Sequence, residues 1–259
     1  MTLGSDPRIA EQPIDGMTGK RLAVALGTSR AAQAVEIAVV FLVAAVVVSV
    51  GWSLVGDDAF RRQVVVWVAN VLMLATIRIG LGLRGQTWAG LGLSLGGGLR
   101  TLGRTVLQSL VVVVLAVVAF MAAAVVMRNV VAGAPAADAS GYDYLQGNLP
   151  MLLVALAGVY VVSSFGEEVL YRGFLINRVM GFAGHTRAAS GLAILVSAVV
   201  FGLAHFDWGI VGVVQTGFMG VVLAVGYVVT RRNLWALVLA HAYMDTLLLV
   251  QVYLGPPSP

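Results

Sequence analysis

Two adjacent carboxylates and an arginine, Glu167, Glu168 and Arg172, interrupt a long apolar stretch of the sequence. Glu168 and Arg172 are four residues apart with the carboxylate first, which is the favourable order for an ion pair on one helix. Glu167 points about a quarter-turn away, and its neighbour one turn later is Tyr171, which carries no positive charge. An unpaired carboxylate removed from water is suited to act as a general base. The same residues could also form a purely structural ion-pair cluster at the boundary of a membrane span.

Two histidines and an aspartate lie on later apolar stretches. His205 follows Phe201 by four residues and His241 precedes Asp245 by four, so each pair shares one face of a helix. A lone histidine in a membrane helix more often forms a hydrogen bond between helices than it catalyses a reaction. Two histidines and two unpaired acids on three spans favour a functional site, because ionisable groups within membrane segments are usually functional.

The composition is that of a membrane protein. Of the 259 residues, 59% are hydrophobic and only 11% are charged, whereas a soluble domain has about 45–50% apolar and about 25% charged residues. The apolar runs are long and continuous, which favours helices over a barrel. There is no cysteine, which excludes disulfides and thiolate chemistry. The net charge of +4 does not indicate nucleic-acid binding, because the basic residues are scattered between the spans.

Seven segments are predicted to cross the bilayer, which takes about 20 mostly apolar residues. They are residues 32–55, 64–83, 106–127, 149–180, 188–205, 210–230 and 234–254. The predicted fold is therefore an all-α polytopic bundle with the lipid bilayer as its surroundings. The fourth segment is too long for one straight crossing, and we expect it to tilt, to break near Gly166 or to lie partly in a cavity.

The basic residues predict the orientation of the bundle. With the N-terminus in the cytoplasm, 13 of the 16 lysines and arginines fall in inner segments, as the positive-inside rule requires. The exceptions are Arg61, Arg62 and Arg128. We therefore predict a multi-pass protein of the cell membrane with an inner N-terminus and an outer C-terminus. His185 is expected at the surface of an inner loop, and a short interfacial helix is expected around Trp88.

Counting residues along straight helices gives the expected depth of each candidate. Glu167 and His205 come out within about 6 Å of the same height, but His241 lies only about 10 Å from the inner boundary. We therefore expect His241 to lie nearer the inner face than the other two residues. A site of this kind needs a water-filled cavity, which we expect to open to the cytoplasm.

Three motifs resemble those of the CPBP family of CAAX proteases and bacteriocin-processing enzymes, also called the Abi family. Residues 167–172, Glu-Glu-Val-Leu-Tyr-Arg, match Glu-Glu-x-x-x-Arg. Residues 201–205, Phe-Gly-Leu-Ala-His, match Phe-x-x-x-His, and residues 241–245, His-Ala-Tyr-Met-Asp, match His-x-x-x-Asn/Asp. Each motif alone is weak, but all three in order on apolar segments are a strong signal, which covers residues 152–254.

The resemblance implies an intramembrane glutamate-type endopeptidase that acts on a peptide or protein substrate without a cofactor. Glu167, helped by His205, would activate water, and His241 with Asp245 would stabilise the oxyanion. The supporting residues would be Glu168, Arg172, Tyr171 and Phe201. Position 245 departs from the CAAX-processing branch, which typically has Asn. An ionised Asp245 cannot donate a hydrogen bond, so it is either protonated or orients His241.

Composition and the motifs together divide the chain. We assign residues 1–30 to a cytoplasmic polar tail without the apolar stretch of a cleaved signal peptide. Residues 31–147 form three spans with their loops, residues 148–254 form the catalytic membrane core, and residues 255–259 form a short tail.

Two other functions stay open. A metal-dependent membrane peptidase is one, because two histidines with carboxylates suit zinc or iron; against it, the sequence contains no His-Glu-x-x-His motif. A transporter or a non-catalytic membrane immunity or scaffold protein is the other. The different surroundings predicted for Glu167 and Glu168 favour catalysis. The sequence does not name the substrate, any partner protein or the oligomeric state.

Overall fold

The protein is an all-α bundle, as predicted. The computed structural model describes residues 23–27, 29–94, 96, 98–131, 133, 135–184 and 186–255, and this part of the chain contains no β-strand. Most of the predicted N-terminal tail, residues 256–259 of the predicted C-terminal tail, and His185 lie outside the described residues.

Seven long helices form the bundle, and their bounds agree closely with the predicted spans. They are α1 (Arg30–Val55), α2 (Ala59–Leu83), α3 (Leu99–Val130), α4 (Leu149–Ala183), α5 (Arg187–Leu203), α6 (Gly209–Val229) and α7 (Leu234–Leu254). Six of the described helices are long and apolar enough to cross a membrane; α5, with 17 residues, is a shorter apolar helix. The protein is therefore an integral, multi-pass membrane protein.

Polar caps fix where several helices begin. The side chains of Ser29, Asp58, Asn148 and Thr186 each accept a hydrogen bond from a backbone N–H in the first turn of the helix that follows. Such caps satisfy N–H groups that have no partner within the helix. The short connections that carry these caps make α1 and α2, and α4 and α5, antiparallel neighbours.

The helices define two ends of the bundle. At one end α1, α3, α5 and α7 begin, and we call it the basic end because most of the arginines lie there. At the other end these four helices finish and α2, α4 and α6 begin; we call it the far end. Two short 3₁₀ helices, Ser140–Leu145 and Phe206–Trp208, lie at the far end.

The long helix α4 is continuous, so the predicted break near Gly166 is wrong. Its middle part, Tyr160–Ile176, is wound as a π-helix between two α-helical parts. Gly166 serves a different purpose, because a Cβ atom at this position would collide with the side chain of Asn70 on α2. The glycine therefore lets α2 approach α4 closely. π-Helical turns occur frequently at functional sites.

Helix α7 begins deep inside the bundle rather than at its surface. The backbone N–H of Leu234 donates to the carbonyl of Gly92, 3.2 Å away, and Leu234 is fully buried. A Cβ atom on Gly173 of α4 would lie 3.2 Å from Leu234. The start of α7 is therefore level with Gly173, which is ten residues before the end of α4. The predicted interfacial helix around Trp88 is a single 3₁₀ turn, Trp88–Leu91, that packs into this end with Leu91 buried.

This deep start brings the motifs to one depth. His241 is seven residues beyond Leu234 along α7, and Glu167 is six residues before Gly173 along α4. Because the two helices meet at Leu234 and Gly173, these similar distances place both side chains at one level. The expectation that His241 lies nearer the inner face was wrong, since it assumed that every helix begins at the membrane surface.

Candidate active site

A buried chain of polar contacts links α4 to α7. Arg172 Nη1 donates to Glu168 Oε1 over 2.8 Å, as the spacing predicted, and both side chains are fully buried. The same Glu168 oxygen accepts a hydrogen bond from His241 Nδ1, also over 2.8 Å. Arg172 Nη2 additionally lies 3.4 Å from the carbonyl of Gly220 on α6. Glu168 therefore holds a cation on one side and the imidazole on the other.

The contact with Glu168 sets the direction of the His241 ring. Since Nδ1 donates to Glu168, Nε2 points the other way, towards three oxygen atoms. They are Ser163 Oγ at 3.5 Å, Asp245 Oδ1 at 3.7 Å and Glu167 Oε2 at 3.9 Å. A carboxylate that fixes a histidine in this manner orients the ring and selects its tautomer. In this structure the carboxylate in that position is Glu168.

Asp245 has a different partner. Its Oδ2 accepts a hydrogen bond of 2.6 Å from Ser164 Oγ on α4. Its other oxygen is too far from His241 Nε2, at 3.7 Å, for a normal hydrogen bond. Of the two possibilities raised by the sequence, the geometry therefore does not favour Asp245 as the group that orients His241.

Glu167 is left without such partners. Its Oε2 atom is buried and has no hydrogen-bond partner among the described residues. The side chain is 18% exposed, and it lines a large cavity. A buried carboxylate oxygen without a partner carries a large desolvation cost, so its retention calls for an explanation.

His205 lies in the wall of the same cavity. Its Nδ1 is 2.8 Å from the backbone carbonyl of Phe201. Because a carbonyl can only accept, Nδ1 carries the hydrogen, and Nε2 of the neutral ring keeps its lone pair. Among the described residues, no direct hydrogen bond joins His205 to Glu167.

The two predicted supporting aromatics join α4 to α5. Phe201 is fully buried, and its ring lies 4.3 Å below the guanidinium of Arg172. Tyr171 meets Phe201 edge-to-face, with ring centroids 5.2 Å apart. Ser197 Oγ also donates to the carbonyl of Tyr171 over 3.0 Å. These contacts hold the helix that carries His205 against the helix that carries both glutamates.

The cavity has a volume of about 1280 Å³ and brings together Glu167, His205, His241 and Asp245. It extends from these residues towards the far end, where its wall includes Trp52, Asp207, Trp208 and Gly255. With the predicted orientation, this end is the outer one. The expectation of an opening to the cytoplasm therefore does not agree with the predicted orientation. The expected cytoplasmic opening had been inferred from a depth for His241 that was too close to the inner face.

Sequence reasoning missed Asn70 on α2. This amide lines the cavity, is only 7% exposed and packs against Gly166, next to Glu167. Its Oδ1 has no hydrogen-bond partner among the described residues. A signal was present in the sequence, because Asn70 is an amide in the middle of an apolar span, and polar residues in such positions are usually functional.

The metal-dependent alternative requires that several of the candidate residues bind one metal ion. Within the described part of the chain, no group of three or more His, Cys, Asp or Glu side chains is arranged to hold a metal ion. His241 turns Nδ1 towards Glu168, and His205 turns Nδ1 towards a backbone carbonyl. These contacts engage only Nδ1 of each ring, so metal removal, rather than the ring orientation, separates the two mechanisms.

Comparison with known proteins gives a match, which covers the C-terminal helices. Residues 149–247 match the family model described as "Type II CAAX prenyl endopeptidase Rce1-like". The match runs from the start of α4 to two thirds of the way along α7 and includes every predicted site residue. Searches of curated proteins and of solved structures found no match. Residues 149–247 are therefore similar to CAAX-type membrane proteases, which supports the resemblance to the CPBP family that the three motifs indicate.

Proposed function

We propose that this protein is an intramembrane endopeptidase in which Glu167, together with His205, activates water to hydrolyse a peptide bond. The observation that carries the proposal is the different environment of two adjacent carboxylates. Glu168 is fully buried and bonded to Arg172 and His241, whereas Glu167 lines the cavity and is 18% exposed. A general base must reach its proton directly or through one water molecule, and among the two glutamates only Glu167 faces space for water.

The reaction can be written with these groups. Glu167 takes a proton from water while the lone pair on His205 Nε2 accepts the second hydrogen and orients the molecule. The hydroxide that forms attacks the peptide carbonyl carbon, and the carbonyl oxygen becomes an oxyanion. The protonated Glu167 then gives its proton to the leaving amine as the carbon–nitrogen bond breaks. This returns the site to its starting state.

The oxyanion requires hydrogen-bond donors. His241, held through Nδ1 by Glu168, can donate from Nε2 when the ring is protonated. Asp245 already accepts from Ser164, and a carboxylate cannot donate. We propose that the side-chain amide of Asn70 donates the second hydrogen bond to the oxyanion, because Asn70 lines the same cavity and packs beside Glu167. It would replace the amide that the CAAX-processing branch typically has at position 245.

The proposal is tested by comparing membrane-protein fragments in cells that carry the wild-type protein or the Glu167→Gln variant. The amide is isosteric with the carboxylate but cannot accept the proton from water. We expect a defined set of fragments to disappear while the uncleaved precursors accumulate. Asp57→Asn, a change at an exposed residue outside the cavity, is the matched control and should leave the fragments in place. An unchanged fragment set in Glu167→Gln cells would refute the proposal.

A further inference from the structure

The cavity occupies only one half of the bundle. Helices α1, α2 and α7 line it from about their midpoints towards the far end, and the other four helices contribute shorter stretches. Among the wall residues nearest the middle are Phe41 of α1, Met73 of α2, Tyr171 of α4, Met219 of α6 and His241 of α7. Those nearest the far end include Trp52, Gln63, Trp208 and Gly255. The wall therefore reaches one surface of the bundle.

The other half of the bundle is closed. Ile77, Leu81, Phe174, Leu223, Tyr227 and Leu234 pack there with at most 1% of their surface exposed. Tyr227 also donates to the carbonyl of Leu91 over 2.9 Å and accepts from Asn177 over 2.9 Å. Glu36 binds both Arg84, at 2.8 Å, and Arg178, at 2.9 Å. Side-chain packing and buried ion pairs therefore separate the candidate site from the basic end.

Charge differs strongly between the two ends. Among the described residues, nine arginines lie towards the basic end: Arg30, Arg78, Arg84, Arg100, Arg104, Arg178, Arg187, Arg231 and Arg232. Glu36 is the one acidic residue described there. At the far end the described charges are three arginines (Arg61, Arg62 and Arg128) and five aspartates (Asp57, Asp58, Asp138, Asp143 and Asp207). The positive-inside rule places the basic end in the cytoplasm.

We infer that the active-site cavity opens on the outer side of the membrane, and that the substrate is an apolar segment of a membrane-bound or exported protein presented from that side. This inference rests on the proposed function for its substrate and on the charge distribution for its direction. A prenylated C-terminus in the cytoplasm would face the closed half of the bundle. The inferred substrate class therefore differs from that in the description of the matched family model.

The walls of the cavity fit an apolar peptide. Next to the carboxylates they consist mainly of apolar side chains, such as Ala44 and Val48 of α1, Val117 and Met121 of α3, and Leu248 of α7. The volume, about 1280 Å³, exceeds the roughly 300–1,000 Å³ of ordinary small-molecule pockets. The rim carries aromatic side chains, including Trp52 and Phe206, which pack with ring centroids 5.8 Å apart. Such rings are typical of the boundary between lipid and water.

The absence of cysteine from the natural sequence allows a direct test of the opening. Single-cysteine variants are treated, in intact cells, with a maleimide that cannot cross the membrane. Gln251→Cys reports on the mouth of the cavity, and Met244→Cys reports on its interior. Leu99→Cys, at an 87% exposed position where α3 begins, reports on the basic end. A gel-filtration profile for each purified variant shows whether it is folded.

We expect rapid labelling of Gln251→Cys and Met244→Cys in intact cells, and labelling of Leu99→Cys only after the cells are permeabilised. The opposite pattern, or labelling of Met244→Cys only after permeabilisation, would overturn the inference. The labelling does not need catalysis, and it should be the same in proteins that also carry Glu167→Gln. If the protein does not hydrolyse peptides, the labelling still shows on which side the cavity opens.

The substrate part of the inference is tested by where the Glu167-dependent cleavages occur. We expect the new N-termini to lie in the outer halves of membrane segments or just outside the membrane. New N-termini in cytoplasmic C-terminal tails would contradict the inference while supporting hydrolysis. If no fragment depends on Glu167, the proposed function and the substrate class fail together, and the direction of the opening is judged by the labelling alone.

Discussion

At the scale of single residues, the site gives two neighbouring glutamates different tasks through their partners. Glu168 compensates the buried charge of Arg172 and orients His241. Glu167, one residue earlier, is turned towards the cavity. Helical spacing alone predicted the pair between Glu168 and Arg172. The contact between Glu168 and His241 joins residues 73 positions apart, and no local pattern in the sequence could indicate it.

Removing the charge of Glu168 should destabilise the protein. In Glu168→Gln the guanidinium of Arg172 stays buried without its ion pair, and breaking one side of a buried pair costs roughly 3–5 kcal/mol. We expect a clear decrease in the melting temperature of the purified protein. Glu167→Gln leaves the ion pair between Glu168 and Arg172 intact, so the melting temperature of this variant should be close to that of the wild type. Equal decreases in both variants would show that the two carboxylates are not separated as described.

The amide of Asn70 should contribute to the rate rather than to binding. Asn70→Asp keeps the size of the side chain but removes the donor, and loss of one oxyanion donor costs about 10²–10³ in kcat. We expect kcat to fall by about this factor with little change in KM. Asn70→Gln should recover part of the rate because it restores a donor. If KM rises while kcat is unchanged, Asn70 contacts the substrate only in the ground state.

Metal removal separates the proposed mechanism from the metal-dependent alternative. Prolonged dialysis of the purified protein against a chelator should leave its peptidase activity unchanged, because water activation by Glu167 and His205 needs no metal. Elemental analysis of the same samples shows whether any metal was present and was removed. Loss of activity on chelation, with recovery on adding zinc, would favour the metal-dependent peptidase.

At the scale of the helices, small residues decide how closely α4 meets its neighbours. Gly158 approaches Trp67, Gly166 approaches Asn70, and Gly173 approaches Leu91 and Leu234. The seven apolar segments were predictable from hydropathy because each is set by local composition. The π-helical part of α4 and the deep start of α7 were not predictable, since both depend on contacts between distant segments.

A Gly166→Ala substitution tests this packing. The added Cβ would collide with the side chain of Asn70, so the amide must leave its place beside Glu167. We expect a lower melting temperature and a lower kcat. Gly191→Ala on α5 is the matched control, because a Cβ there meets nothing within 4 Å and alanine favours a helix over glycine. If both variants behave alike, close packing at Gly166 is not needed.

At the scale of the whole molecule, the bundle combines a sealed basic half with an open far half. The sequence predicted the number and order of the helices and the charge difference between their ends. It did not predict on which side the cavity lies, because the cavity is formed by parts of all seven helices. Orientation across the membrane stays a prediction from the arginines, with the N-terminus inside and the C-terminus outside.

Reporter fusions measure that orientation. Alkaline phosphatase, which folds only outside the cytoplasm, should be active when fused after Pro259, and green fluorescent protein fused at the same place should be dark. The same reporters fused to the N-terminus should give the reverse result. A fluorescent C-terminal fusion would place the mouth of the cavity in the cytoplasm and reverse the inferred side of substrate entry.

The rate of peptide cleavage by purified protein in lipid nanodiscs decides whether Glu167 is the base. The substrate is a peptide spanning a Glu167-dependent cleavage site from the fragment comparison, and each variant is first shown to be folded. We predict that Glu167→Gln lowers kcat by at least about 10²–10⁴, the usual contribution of a general base, while Asp57→Asn keeps the wild-type rate. A folded Glu167→Gln protein that cleaves within a few-fold of the wild-type rate would contradict the proposed mechanism.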